Sequence, residues 1–160
     1  MEYFQDFMPE NVCFGCGINN DQGLHVKSYW QGDESVCYWT PKQQHHGWEG
    51  LLNGGIIATI MDCHCMCTAM AYAYRVEKRP LGSAPEYRYA TGTLQVKYLA
   101  PTCIGSVTLR AQVLEMKGRK MVLKCDMYAG DTHTATAEIV AIRVYDSSEE
   151  KISAFKSGNK

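Results

Sequence analysis

The sequence has no surplus of either charge. Sixteen Lys and Arg stand against seventeen Asp and Glu in 160 residues, a formal net charge of −1. The two signs are interspersed, so there is no electrostatic case for nucleic acid or an anionic membrane as a partner, and small ligands or other proteins are left. It also lacks internal repeats and any Pro- or Ser-rich linker, and its length suits one core better than two, so a single domain is expected over 1–145. The opening MEYFQDFMPE has no basic cluster ahead of an apolar run. No secretory leader is read there, and a cytoplasmic location is the expectation. The end, DSSEEKISAFKSGNK, is polar and charged and reads as a loose tail over 146–160.

What the chain does have is cysteine, at 13, 16, 37, 63, 65, 67, 103 and 125. In a reducing compartment these read as free thiols rather than disulfides. Cys13 and Cys16 have zinc-knuckle spacing, and Cys63, His64, Cys65 and Cys67 add ligand types. A second knuckle pair is missing, and on a helix Cys65 turns away from the face shared by Cys63 and Cys67. No metal and no other cofactor is therefore expected, and a zinc-stabilised interaction module is kept as a rival reading.

Two runs, Gly23 to Trp30 and Ser35 to Thr40, read as strands joined by a turn at Gln31-Gly32-Asp33. A helix opens where Asn53 can cap it and Gly54 and Gly55 let the backbone bend, and it continues to about Val76 before Pro80 and Gly82 end it. The stretch Ile56 to Tyr74 is long enough for a membrane span. Asp62 and His64 sit near its middle, however, and an Asp there costs about 2.5 to 3.5 kcal/mol, so a buried core helix is expected. The period then changes to two. Leu94, Val96 and Tyr98 alternate with polar residues, as do Val107, Leu109, Ala111 and Val113; Met121, Leu123, Cys125 and Met127 alternate with Val122, Lys124 and Asp126, and a last run covers Ala135 to Val144. Turns at Pro101 to Gly105, Lys117-Gly118-Arg119 and Gly130-Asp131 link these strands briefly, so an antiparallel meander is expected. One apolar helix and such a meander bury each other best if a curved antiparallel sheet wraps the helix, an α+β arrangement of the hot-dog kind.

Asp62 is the one acid in the apolar run from Ile56 to Tyr74. Burying a carboxylate costs several kcal/mol unless it is paired, which makes Asp62 a candidate site residue. His64 is two residues on and points roughly 200° away around the helix, so the two do not pair within one chain. Cys65 shares the Asp62 face, where a neighbouring carboxylate opposes thiolate formation.

Five stretches carry a resemblance: Cys13-Phe14-Gly15-Cys16-Gly17 with Gly23-Leu24 after it, then His45 to Gly50 (HHGWEG), Asn53-Gly54-Gly55, Asp62, and Tyr98-Leu99-Ala100-Pro101. Over roughly residues 12 to 145 the chain resembles the hot-dog thioesterase superfamily, and within it the phenylacetate-pathway type. The resemblance implies an acyl-CoA thioesterase working as a homodimer or dimer of dimers. Gly54 or Gly55, preferably Gly54, would hold the thioester carbonyl by its backbone N–H, where the helix N-terminus adds partial positive charge. Asp62 would act as general base on water or as nucleophile, facing the glycine turn of the other subunit. Thr91 falls where some relatives hold the water, and His46, or its neighbour His45, where relatives bind the carbonyl. Arg75, Lys78, Arg79 and Arg88, in the segment after the helix, are the candidates for the CoA phosphates, with Arg79 and Arg88 taken as substrate-binding. The commonest family motif is His-Gly-Gly, and here Asn53 replaces the histidine. Asn can cap and donate a hydrogen bond but transfers no proton at neutral pH. The change keeps open a protein that binds an acyl thioester or another small ligand without cleaving it. A dehydratase or hydratase on the same fold is a further rival. Tyr72, Tyr74, Tyr87, Tyr89 and Tyr98 would suit an aryl or medium-length acyl group.

Overall fold

The computed structural model describes residues 1–149. Six strands and one long helix follow in the order β1 (Tyr29–Gln31), β2 (Glu34–Trp39), α1 (Gly54–Val76), β3 (Tyr87–Tyr98), β4 (Val107–Lys117), β5 (Lys120–Ala129) and β6 (Thr132–Asp146), with short 3-10 turns at Phe4–Phe7 and Gln43–His45. All strand pairs are antiparallel, in the spatial order β1-β2-β4-β5-β6-β3. The alternation read from sequence sets the inner face. Leu109, Ala111, Met121, Leu123, Cys125, Met127, Ile139 and Ala141 are fully buried, and they share the core with Ile57, Ile60, Met61, Cys65 and Ala69 of α1. The fold is thus α+β, with one helix against a curved antiparallel sheet. By length and composition α1 is apolar enough to cross a membrane, but 67% of its most apolar window is buried inside the molecule, as befits a central helix.

The structure departs from the expected meander at β3. Of the four strands after α1, β4, β5 and β6 follow one another in the sheet, while β3 pairs with β6 at the far edge. Residues 99–106 are too long and too interrupted, by Pro101 and by pairing with the residues before α1, to make a hairpin. Leu52 N–H bonds Thr102 O at 2.8 Å and Ile104 N–H bonds Gly50 O at 2.9 Å. β3 also starts earlier than its alternation implies. Gly92 is a bulge between Thr91, opposite Ala141, and Thr93, opposite Val140, so the parity of the pattern flips there. A Cβ at Gly92 would crowd Ile142 and the Val140 carbonyl, which explains the glycine.

The first expected strand shrinks to Tyr29–Gln31. Its earlier part is diverted, because Leu24 N–H bonds Phe14 O at 2.8 Å and Val26 N–H bonds Gly15 O at 2.9 Å, tying it to the Cys13–Gly17 turn instead of the sheet. At the other end Asp146 closes β6, and Ser147 bonds Glu86 in both directions, at 3.0 and 2.7 Å. Of the expected tail, residues 150–160 lie outside the described residues.

The core holds one polar cluster. His64 Nδ1 is 2.8 Å from Ser28 Oγ, its Nε2 is 3.3 Å from Ser35 Oγ, and Ser35 Oγ is 2.6 Å from Thr68 Oγ1. Gln5 closes the set through Ser28, to which it donates at 3.1 Å. His64 therefore faces inward, as its position two residues from Asp62 predicts.

Candidate active site

The start of α1 is built by Asn53. Its backbone stays extended and its Oδ1 accepts the N–H groups of Gly55 at 2.8 Å and Ile56 at 3.1 Å. A helix leaves its first four N–H groups without intrahelical partners. Here three are engaged, since Asn53 N–H bonds His45 O at 3.0 Å and the Asn53 side chain takes the next two after Gly54. Among the described residues the Gly54 N–H has no partner, and it stands at the positive end of the 23-residue helix dipole. Of the two glycines, Gly54 thus carries the available donor, while the Gly55 donor is spent on the cap.

Beside Gly54 lies a cleft of about 300 Å³ walled by Leu51, Leu52, Ile57, Leu99 and Pro101, with Gly54 and Tyr98 in its lining. Tyr98, one of the five tyrosines suited by sequence to an aryl acyl group, donates its hydroxyl to Gly54 O at 2.6 Å and pins the turn against β3. The sequence signal was the Tyr-Leu-Ala-Pro strand end, but the contact spans 44 positions. A Cβ on Gly54 would meet the Tyr98 ring at 3.5 Å, an ordinary contact. The protein itself therefore does not require glycine at 54. At 55 the space is tighter, since a Cβ there would press on the Asn53 cap oxygen at 3.0 Å and the cap would have to give by a few tenths of an ångström.

Asp62 lies on the half-buried stripe of α1 with Ala58 and Met66. Its Oδ1 accepts the Thr91 hydroxyl of β3 at 2.5 Å. Burial pushes the carboxyl above the ordinary aspartate range, and the Thr91 bond, which favours the charged form, draws it part of the way back. The eight-residue offset from Gly54 places Asp62 about 12 Å farther along the axis. Within one chain the two do not reach the same small reacting group.

The remaining candidates are spread out. His46 bridges Leu52, so its backbone stands beside the helix start. His45 is buried against Trp39, and its Nδ1 accepts the Lys42 N–H at 2.8 Å, which commits it to the fold. Arg79 pairs with Glu77 at 2.5 Å, donates to Ser83 O at 2.9 Å, and lies over the rings of Tyr74 and Tyr87. Arg88 lies over Tyr145. Arg75 packs over Trp30 and pairs with Asp33, and Lys78 is exposed in a left-handed turn at φ 54°. All four lie near or beyond the C-terminal end of α1, the end opposite Gly54.

The thiols are arranged differently from the reading of the sequence. Cys65 does turn away from Cys63 and Cys67, but Cys63 meets the Cys13–Cys16 turn instead. The sulfurs of Cys13, Cys16 and Cys63 lie within 4.8 Å of one another.

The sequence matches the family model described as the thioesterase superfamily over residues 49–136, from the loop before α1 into β6. A thioesterase superfamily protein from Shewanella loihica is 32% identical, with a TM-score of 0.60 over 73% of this chain and 89% of its own. The PaaI protein of the E. coli phenylacetic acid degradation operon is 13% identical, with a TM-score of 0.62 over 77% of this chain and 82% of its own. A Streptococcus mutans protein solved bound to acetyl CoA is 11% identical, with a TM-score of 0.60 over 76% of this chain and 90% of its own. No curated protein matches the sequence. With the family model covering more than half of its length and the helix, sheet and glycine turn in place, the chain belongs to the thioesterase superfamily.

Proposed function

We propose that the protein is an acyl-CoA thioesterase of the phenylacetate-pathway type, cleaving small to medium or aryl acyl-CoA thioesters. The observation that carries this reading is the unpaired Gly54 amide, at a helix N-terminus and in the lining of an apolar cleft. That amide would donate to the thioester oxygen as it becomes an oxyanion, while the acyl chain occupies the cleft. Asp62 takes a proton from water as the water oxygen bonds the carbonyl carbon. When the tetrahedral intermediate collapses, the C–S bond breaks and the proton passes to the departing CoA sulfur. The Streptococcus mutans relative with bound acetyl CoA supports CoA as the leaving group.

The offset of about 12 Å between Asp62 and Gly54 along one helix requires two chains. A homodimer, or a dimer of dimers, with its α1 helices antiparallel would bring Asp62 of one chain to the glycine turn of the other. The exposed edge strand β3, with Leu94 and Gln95 uncovered, is a suitable surface for pairing. We place the enzyme in the cytoplasm, where the eight unbridged cysteines stay reduced.

The test is hydrolysis of a panel of short, medium, long and aryl acyl-CoAs, with free CoA followed by chromatography, in wild type and in Asp62→Asn. Turnover should fall at least about a hundredfold in the variant, the scale of a lost general base, with acyl-CoA affinity retained. Unchanged hydrolysis would sink the role of Asp62. Binding without turnover across the whole panel would make the protein a carrier on a thioesterase fold, consistent with Asn53 in place of histidine.

A further inference from the structure

We propose that Cys13, Cys16 and Cys63, with Cys67 as the fourth ligand, form a thiolate site for one zinc-class divalent ion. The site joins the N-terminal turn to the middle of α1 and does not rest on the thioesterase reading. Its geometry comes first. Cys13 and Cys63, 50 positions apart, bring their sulfurs to 3.7 Å, and the three sulfurs of Cys13, Cys16 and Cys63 all fall within 4.8 Å of one another. A tetrahedral zinc with sulfurs at about 2.3 Å sets neighbouring sulfurs about 3.8 Å apart. Cys67 stands one helical turn beyond Cys63 on the same face, outside the three sulfurs that lie within 4.8 Å of one another, so it completes the set only by turning toward the ion.

The surroundings are those of a ligand turn more than of packed apolar thiols. Gly15 N–H points at Cys13 Sγ, 3.4 Å away, and Asn11 Nδ2 donates to Cys16 Sγ at 3.4 Å while its Oδ1 accepts the Cys13 N–H at 2.9 Å. Donors aimed at sulfur favour the thiolate and orient it for a metal, the role that groups behind a ligand ordinarily play. Gly17 N–H closes the turn on Cys13 O at 2.8 Å. Two glycines make the approach possible. A Cβ on Gly15 would collide with Cys63 Sγ, and one on Gly17 with the Cys13 backbone. Cys13 is exposed and the other three are buried, which gives an ion a path in from the surface and a closed seat once bound. Sulfur donors in tetrahedral order select soft or borderline ions, zinc foremost, over magnesium or calcium. Each thiol that ligates releases its proton to solvent as the metal–sulfur bond forms.

The test uses the full-length protein, purified with a non-thiol reductant and no chelator, and reads metal content by mass spectrometry. Metal-stripped protein is then titrated with Co²⁺ and with Zn²⁺. About one ion per chain is expected, with the thiolate-to-cobalt charge-transfer band and the visible bands of a tetrahedral site. Cys13→Ser and Cys63→Ser should both lose the ion and the spectrum, and Cys103→Ser should keep them. Cys13 is exposed, so its replacement leaves the core intact, and circular dichroism checks this. Added Zn²⁺ should raise the thermal midpoint of wild type and leave that of Cys13→Ser unmoved. Weaker cobalt binding in Cys67→Ser supports the fourth ligand, and unchanged binding removes Cys67 from the set. The proposal is overturned if wild type retains no ion from stoichiometric Zn²⁺, if Cys13→Ser and Cys63→Ser bind as wild type does, or if the intact mass without reductant shows these cysteines joined in a disulfide. None of these readouts involves acyl-CoA, so they stand or fall apart from hydrolysis.

Discussion

Asp62 is held between burial, which disfavours its charge, and the Thr91 hydroxyl, which favours it. Thr91 touches the proposed base and not the substrate, so it acts by positioning. Thr91→Val should lower kcat about fivefold, the effect of roughly 1 kcal/mol for one lost hydrogen bond, with KM unchanged and Thr91→Ser restoring the rate. Asp62 was legible because a lone acid in an apolar run has few structural uses. Thr91 is marked only by the resemblance, and the bond it makes depends on the Gly92 bulge that sets which way β3 presents its side chains. The bond of Tyr98 to Gly54 and the meeting of Cys63 with Cys13 were not legible. Both are contacts between distant segments, and no local period encodes them. Arg79 was misleading for a related reason. Its charge looks available in sequence, while in the fold two tyrosine rings and Glu77 occupy it.

His64 carries a prediction of its own. Burial lowers its pKa from 6.5 to about 4, so the folded state keeps it neutral where the unfolded chain protonates it. Above pH 6.5 its contribution to stability is complete. As pH falls from 6.5 toward 4 the unfolded state binds a proton that the native state refuses, and stability drops by at most about 1.4 kcal/mol per pH unit. Denaturant midpoints measured at pH 7 and pH 5 should therefore separate more in wild type than in His64→Gln. Equal separation would mean that the imidazole is not held neutral by the core.

At the level of elements, α1 was readable almost to the residue, since its start, end and buried face are each announced locally by Asn53, Pro80 and the apolar run. The cap is also testable. Asn53→Ala frees two amides and should cost about 1 kcal/mol, seen as a lower denaturant midpoint, whereas Asn53→Asp should hold near wild type. The strands β4 to β6 were equally plain from their alternation and tight turns. The first strand and the place of β3 were not, because a strand's partner is decided by the whole sheet. Residues 23–28 have the composition of a strand, but the Cys13–Gly17 turn takes their hydrogen bonds.

The whole molecule is incomplete as a catalyst on the proposed mechanism, since its base and its carbonyl donor belong to different chains. Specific activity should fall on dilution through the dissociation range measured by light scattering, and a mixture of Asp62→Asn with Gly54→Val chains should recover part of the activity that neither has alone. Concentration-independent activity from a monomer would overturn the two-chain site. The position of β3 has another consequence, for synthesis. β3 leaves the ribosome before β4, β5 and β6, yet its sheet partner is β6, so Tyr87 must wait for Asp146. Until then a 12-residue strand has a core face and no ladder. Closing that pair joins residues up to 59 positions apart, an entropic cost that slows folding, and until it closes the waiting strand is an unpaired edge that a chaperone would shield.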